Sequence, residues 1–253
     1  MTRRLFVVTG TSRGLGAAIA RQLLAAPGTV LLGIARQSND ELPAAATRSG
    51  ARCEQWQADL SVPATIAERL RNWLATFDAG HFESASLINN AGTVTPPGPL
   101  ESLSLDALSA ALRVGLEAPL LLTAAFLSAT AGWSADRRVL NVSSGLGRRP
   151  MAGQATYCAA KAGLDHLSRA IALDQAQMPR GARIVSLAPG VIDTDMQVQL
   201  RSAAGPGFPD RETFVNLKQS GQLVSAEDTA SRVLAWLARD DFGDSPVADV
   251  RDA

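Results

Sequence analysis

The chain has 253 residues, with 24 Lys+Arg balanced by 24 Asp+Glu, 46% hydrophobic and 19% charged residues. That balance excludes the basic excess of a nucleic-acid or membrane-surface binder, and that apolar content excludes a disordered chain. Cys53 and Cys158 lack CxxC spacing and a neighbouring His cluster, so neither a disulfide scaffold nor a metal site is expected, and two free thiols suit a reducing cytoplasm.

The basic start Met1-Thr2-Arg3-Arg4 precedes an apolar run only over 5–8, too short for a secretory leader and better suited to a first strand. No stretch is expected to reach the ~18 apolar residues of a membrane span. Short runs at 5–8, 29–34, 51–57, 86–88, 138–142 and 183–187 have the β-branched or Leu-rich character of buried strands. Segments 15–26, 62–77, 105–130 and 156–177 have helical length and spacing. Such alternation implies right-handed crossovers. The expected fold is α/β, a single-domain, Rossmann-type doubly wound parallel sheet with helices on both faces, over 1–253. Pro and Gly cluster at Thr95–Pro99 and Gly205–Pro209, both expected as loops, the second part of a lid-like segment about 193–221.

Thr9-Gly10-Thr11-Ser12-Arg13-Gly14-Leu15-Gly16 follows the first strand and opens the first helix. Glycines let a backbone turn tightly against a pyrophosphate, which a helix N-terminus stabilises. An enzyme that uses NAD places an acid about 20 residues after these glycines, at the end of the second strand. Here that place holds Gly33-Ile34-Ala35-Arg36, with no acid before Asp40. Arg36 and Arg13 suit a 2′-phosphate, which guanidinium groups grip by charge-assisted hydrogen bonds. The expected cofactor is NADPH/NADP+.

Tyr157 and Lys161 lie four apart, on one face of a helix, and Tyr157 is the only tyrosine in the chain. A tyrosine of pKa near 10 is a poor base at neutral pH, and a neighbouring ammonium is expected to lower it. Ser144 ends a strand thirteen residues earlier, with Ser143 as the competing hydroxyl. A nucleophilic serine hydrolase also sets a serine at a strand end, but it needs a G-x-S-x-G elbow and a suitable His. The elbow is missing, and His81 and His166 fall outside the Tyr157/Lys161 stripe.

Together these motifs resemble the short-chain dehydrogenase/reductase family. The resemblance implies that Ser144 polarises the substrate carbonyl, Tyr157 donates the proton, and Lys161 tunes Tyr157 and holds the cofactor ribose. It places Gly10, Ser12, Arg13, Gly14, Leu15, Gly16, Arg36, Asp59, Leu60, Asn89, Ala91 and Gly92 along the cofactor, with Tyr157 and Lys161. It adds Pro189, Gly190, Ile192, Thr194 and Met196 over the nicotinamide. The run P-G-x-x-D-T-D-M-Q at 189–197 is similar to sepiapterin reductases and bacterial benzil reductases. That likeness implies a ketone or α-dicarbonyl substrate held by Ser144, Leu146, Tyr157, Gly190, Gln197 and Asp249. It also implies a homodimer or homotetramer built on the helices at 105–130 and 156–177.

One position departs. Gly115 stands where the family has an Asn, at a helix distortion whose carbonyl holds a water near the lysine. Glycine permits the distortion and keeps the carbonyl, so activity with a changed proton relay is expected. Two other readings remain open: an NAD-dependent alcohol dehydrogenase, which Arg13 and Arg36 oppose, and a cofactor-binding regulator without turnover, which Gly115 alone favours.

Overall fold

The computed structural model describes residues 3–203 and 207–252. In chain order its elements are β1 (Arg4–Thr9), α1 (Gly14–Leu24), β2 (Thr29–Ala35), α2 (Glu41–Ser49), β3 (Arg52–Gln57), α3 (Pro63–Leu74) and β4 (Ser84–Asn89). There follow α4 (Leu105–Leu112), α5 (Ala118–Thr130), β5 (Asp136–Val142), α6 (Ala155–Ala176), β6 (Arg183–Ala188), α7 (Asp195–Arg201), α8 (Arg211–Gln219), α9 (Ala226–Leu237) and β7 (Val247–Asp249). All seven strands pair in parallel, in the order β3-β2-β1-β4-β5-β6-β7. The Rossmann-type doubly wound sheet expected from the alternation is therefore present. Of the lid segment, residues 204–206 lie outside the described residues.

Burial on both faces explains why the inner strands are almost wholly apolar. Leu5 and Val7 of β1 enter one core with Leu32, Ile34, Leu87 and Phe126, whereas Phe6 and Val8 enter the other with Ile19, Leu31 and Ile88. Each such side chain contributes roughly 1.5–3 kcal/mol on burial, so no inner strand can leave the sheet cheaply. The edge strand β3 alternates instead, keeping Arg52, Glu54 and Gln57 exposed and only Trp56 buried. One reversal of strand order matters for function: the chain leaves β1 toward β2 on one side, and β4 flanks β1 on the other. The crevice above their carboxyl ends is where such sheets bind ligands.

Two expectations need correction. The segment 105–130 is not one regular helix, because a π-helical bulge at Arg113–Glu117 separates α4 from α5. Nor is the chain free of long apolar stretches: Leu105–Thr130 has a mean hydropathy of 1.6 over its best window, enough by length and composition to cross a membrane. Its apolar side chains divide instead between the core, through Ala118, Leu122, Ala125 and Phe126, and an outward row of Leu105, Leu112 and Leu120.

Candidate active site

The glycine turn joins β1 to α1 at the crevice. Gly10 has φ +77° and Gly14 φ +57°, conformations that side chains disfavour. Gly16 serves a second need, since a Cβ there would overlap the Gly10 carbonyl oxygen and the Asn90 amide. The turn is clamped to β4: Thr9 Oγ1 accepts from the Asn90 and Ala91 amides at 2.9 Å, and Asn90 Nδ2 donates to the Thr9 carbonyl at 2.9 Å. Asn90 thus braces the turn, a role its sequence position did not reveal. No side chain caps α1, and Arg13 and Gly14 are exposed, so the first amides of the helix are left for an anion.

At the end of β2 the exposed Arg36 stands near Asp59. Hydrogen bonds from Ser61, aided by Arg36, hold the Asp59 carboxyl below its usual range. Leu60 beside it is buried. Across the turn, Arg13 pairs with Asp195 of α7 at 2.9 Å, both side chains largely exposed. These residues fit a dinucleotide bearing extra negative charge: free helix amides for the pyrophosphate and two accessible guanidinium groups at the rim. Asn89 points elsewhere, because its buried amide donates to Thr123 Oγ1 at 3.2 Å and to Asn141 Oδ1 at 2.8 Å.

The carboxyl end of β5 brings together the three residues expected to be catalytic. Ser143 is spoken for: it is buried, and its hydroxyl donates to Asp165 at 2.5 Å. Ser144 is half-buried and accepts from the Leu146 amide at 3.2 Å, capping a short 3-10 turn at Gly145–Gly147. Its O–H faces the Tyr157 phenol, whereas the Ser143 hydroxyl is committed to Asp165, which favours Ser144 of the two serines. Lys161 is 5% exposed, lies 5.6 Å from the Tyr157 ring centroid, and donates to the Val142 carbonyl at 2.7 Å. A Cβ at Gly92 would lie 3.9 Å from Lys161 Nζ, so the turn after β4 reaches the same spot.

Burial brings Lys161 down to about 8, with Asp165 pulling it back up. Burial pushes the Tyr157 phenol up, and a hydrogen bond from Ser144 opposes this only in part. The expectation that Lys161 brings Tyr157 toward neutrality therefore fails in the protein without cofactor. Desolvation wins, and the ammonium gives up its proton before the phenol does.

A family model described as short chain dehydrogenase matches residues 4–205. The chain belongs to that family. It is 35% identical over 239 residues to a benzil reductase ((S)-benzoin forming) of Bacillus cereus, covering 94% of this chain and 96% of the relative. It is 33% identical over 257 residues to a sepiapterin reductase of Meriones unguiculatus, covering 97% and 95%. The crystal structure of the KRED1-Pglu enzyme superposes with a TM-score of 0.79 at 28% identity, covering 96% of this chain and 99% of that one. The likeness to sepiapterin and benzil reductases read from 189–197 is thereby supported along the whole chain, and the protein is an oxidoreductase of carbonyl or alcohol groups that uses a nicotinamide cofactor.

For this short-chain dehydrogenase the bulge at Arg113–Glu117 supplies the distortion expected at Gly115, which is buried. A Cβ there would stand 3.0 Å from the Ala160 Cβ, so Ala160 fills the space that a larger residue at 115 would take.

The side expected to face the substrate is built from the segment after β6. Pro189 is buried, Gly190 has φ +81°, and Ile192 bridges to Val224. Thr194 begins α7 beside the glycine turn, its Cγ2 3.8 Å from where a Cβ on Gly14 would stand. Met196 is half-buried, while Gln197 is 7% exposed with an Oε1 that has no partner among the described residues. Leu200, Phe208 and Phe214 form a small core of their own, against which Met151 and Leu217 pack. Leu146 sits half-buried in the Ser144 turn. Asp249, expected to hold a substrate's donor edge, already accepts from Arg251 at 2.7 and 2.6 Å, which keeps its carboxyl below the usual range. A substrate there would share that carboxylate with Arg251. His81 meets Arg3 at 3.1 Å near the amino ends of the strands, and His166 is exposed on α6, so neither joins the trio. No group of His, Cys, Asp and Glu among the described residues has the makings of a metal site.

Proposed function

We propose that the protein is an NADPH-dependent carbonyl reductase acting on a ketone or α-dicarbonyl of the benzil or sepiapterin kind. The observation that carries this reading is Tyr157, a phenol kept in its acid form and hydrogen-bonded to the Ser144 hydroxyl. A proton donor is what carbonyl reduction requires, and such a positioned acid contributes about 10²- to 10⁴-fold. When bound, the cofactor supplies hydride to the carbonyl carbon. Ser144 donates a hydrogen bond to the carbonyl oxygen and orients it. Tyr157 passes its O–H proton to the oxygen as negative charge builds there. Lys161, held at Val142 and protonated below about pH 8, stabilises the phenolate left behind and offers hydrogen bonds to ribose hydroxyls.

Arg36 and Arg13 support NADPH over NADH, because the end of β2 carries no acid to accept from a ribose 2′-OH and repel a phosphate. The half-buried Leu146 and Met196 offer the apolar surface that an aromatic dicarbonyl would need. The outward Leu105, Leu112 and Leu120, with Leu173 at 70% exposure on α6, support pairing of two copies through these helices. Free Cys53 and Cys158 suit a cytoplasmic enzyme.

The test is to follow NADPH absorbance with benzil-like diketones, sepiapterin and simple ketones in parallel, together with NADPH and NADH affinities. Oxidation with a dicarbonyl and tighter NADPH binding are expected. Tighter NADH binding overturns the cofactor assignment, and NADPH binding without oxidation across the panel indicates a regulator.

A further inference from the structure

Asp165 is a buried carboxylate that the reaction does not use. It lies one turn after Lys161 on α6 and is 2% exposed. Ser143 Oγ donates to its Oδ1 at 2.5 Å, and Ser186 Oγ, from the neighbouring strand β6, donates to the same oxygen at 2.7 Å. Arg148 Nε donates to Oδ2 at 3.2 Å. The other end of the Arg148 guanidinium donates to the Ala248 carbonyl at 2.8 Å, in β7 and immediately before Asp249. The turn between these anchors lies against the helix: a Cβ on Gly147 would come within 2.9 Å of the Lys161 carbonyl oxygen and 3.1 Å of Asp165 Oδ2.

An isolated carboxylate is costly to bury, and here, apart from Ser186, the contacts it gathers lead to segments that bear on the reaction. Ser143 precedes Ser144. Arg148 closes the turn that Ser144 caps. Ala248 precedes the acid on the substrate side. We propose that Asp165 is a positioning residue: it fixes the Ser143–Arg148 segment, and with it the Ser144 hydroxyl, and through Arg148 it ties the C-terminal strand to the same anchor. The assignment rests on the reductase reading for its effect on turnover, but its structural half can be read without turnover.

Two substitutions separate the links. Asp165→Asn keeps an oxygen for the two serines but removes the charge and turns an amide toward Arg148. It should lower kcat with the preferred dicarbonyl about tenfold or more, because a displacement of the order of 1 Å at a reacting group costs about 10²-fold. NADPH affinity should stay unchanged, since the glycine turn takes no part in the cluster. Arg148→Gln leaves the serines on Asp165 and cuts the tail, so KM should rise several-fold while kcat stays near wild type. The pH profile adds a readout that loose packing does not move. The charged or titratable groups about Lys161 are Tyr157 and Asp165 on its own helix, with Arg148 on the far oxygen of Asp165. From β5 the Val142 carbonyl accepts its hydrogen bond. Because Asp165 holds Lys161 up, the alkaline loss of activity should move to lower pH in Asp165→Asn and not in Arg148→Gln.

Hydrogen exchange provides the arm free of turnover: Asp165→Asn should speed exchange at 143–148 and at 247–251, Arg148→Gln only at 247–251. If wild type turns over no carbonyl substrate, the reductase reading fails by itself and the exchange result still decides the anchoring. If Asp165→Asn does not fold, Arg148→Gln decides, and an unchanged KM with unchanged exchange at 247–251 overturns the proposal. Wild-type kcat, KM and pH profile in a folded Asp165→Asn protein overturn it as well, as does a parallel loss of NADPH affinity and kcat in both variants.

Discussion

Replacing Lys161 by methionine should remove a pH-dependent penalty on the fold while abolishing most of its activity. The side chain is 5% exposed, and burial lowers its pKa from 10.5 to about 8. At about 1.4 kcal/mol per pH unit, the buried ammonium costs the cofactor-free fold about 3 kcal/mol at neutral pH. The sign is fixed by the direction: the folded chain releases this proton before the unfolded chain does, so stability rises with pH between about 8 and 10.5. Methionine has no such proton. It also leaves the Val142 carbonyl without its donor, a pH-independent cost of about 1–3 kcal/mol. The absolute difference between the two proteins is therefore a poor readout, whereas its change with pH is a good one. Urea unfolding of both proteins without cofactor should show methionine's relative advantage shrinking by about 2–3 kcal/mol between pH 7 and pH 10. Taking the difference removes the common contributions of Cys53 and Tyr157, which burial shifts in the opposite direction. A difference that stays flat with pH would refute the claim that Lys161 is a buried ammonium lowered by desolvation.

The other expectations follow from the rim and the bulge. Arg36→Asp should weaken NADPH at least tenfold, removing one charge-assisted contact worth about 1.5–3 kcal/mol, and should bring NADH affinity up; titration by cofactor fluorescence decides, and an unchanged ratio clears Arg36 of any role. Asp195→Asn frees Arg13 from an exposed ion pair worth at most about 1 kcal/mol, so NADPH should bind up to about fivefold tighter with NADH unchanged; equal gains for both cofactors argue against a 2′-phosphate contact. At the bulge, Gly115→Ala and Gly115→Asn both press on Ala160, and overpacking of that kind costs about 1–3 kcal/mol of stability. Turnover should fall alike in the two, and a large loss confined to asparagine contradicts the idea that glycine stands in for it through the backbone.

What the sequence disclosed follows from how much of each signal is local. The inner strands were readable because two-sided burial makes a nearly unbroken apolar run, as in Leu5–Val8 within β1. The helix α2 shows only Leu42, Ala45 and Ala46 to the core, and β7 has three residues, too few for any period to emerge. The helix α9 was missed although Ser225 caps it by accepting from the Asp228 amide, a serine-to-acid spacing that is visible in the chain. Within the site, the shared helix face of Tyr157 and Lys161 was legible from spacing, whereas the choice of Ser144 over Ser143 leaned on the family resemblance. Asp165 was not legible, because its partners come from two stretches apart from it in the chain, Ser143 and Arg148 after β5 and Ser186 in β6. The direction of the Tyr157 shift was misjudged for a related reason: a neighbouring lysine can be read from the sequence, but the depth of burial that outweighs it cannot.

The central claim is that Tyr157 is the proton donor in an NADPH-dependent reduction of a dicarbonyl. The most direct measurement is NADPH consumption with benzil by wild type and by Tyr157→Phe, alongside NADPH affinity of both. Wild type should turn over, and the variant should lose about 10²- to 10⁴-fold in kcat with cofactor affinity retained. Equal kcat in the two proteins, or consumption of NADH in preference to NADPH by wild type, would contradict it.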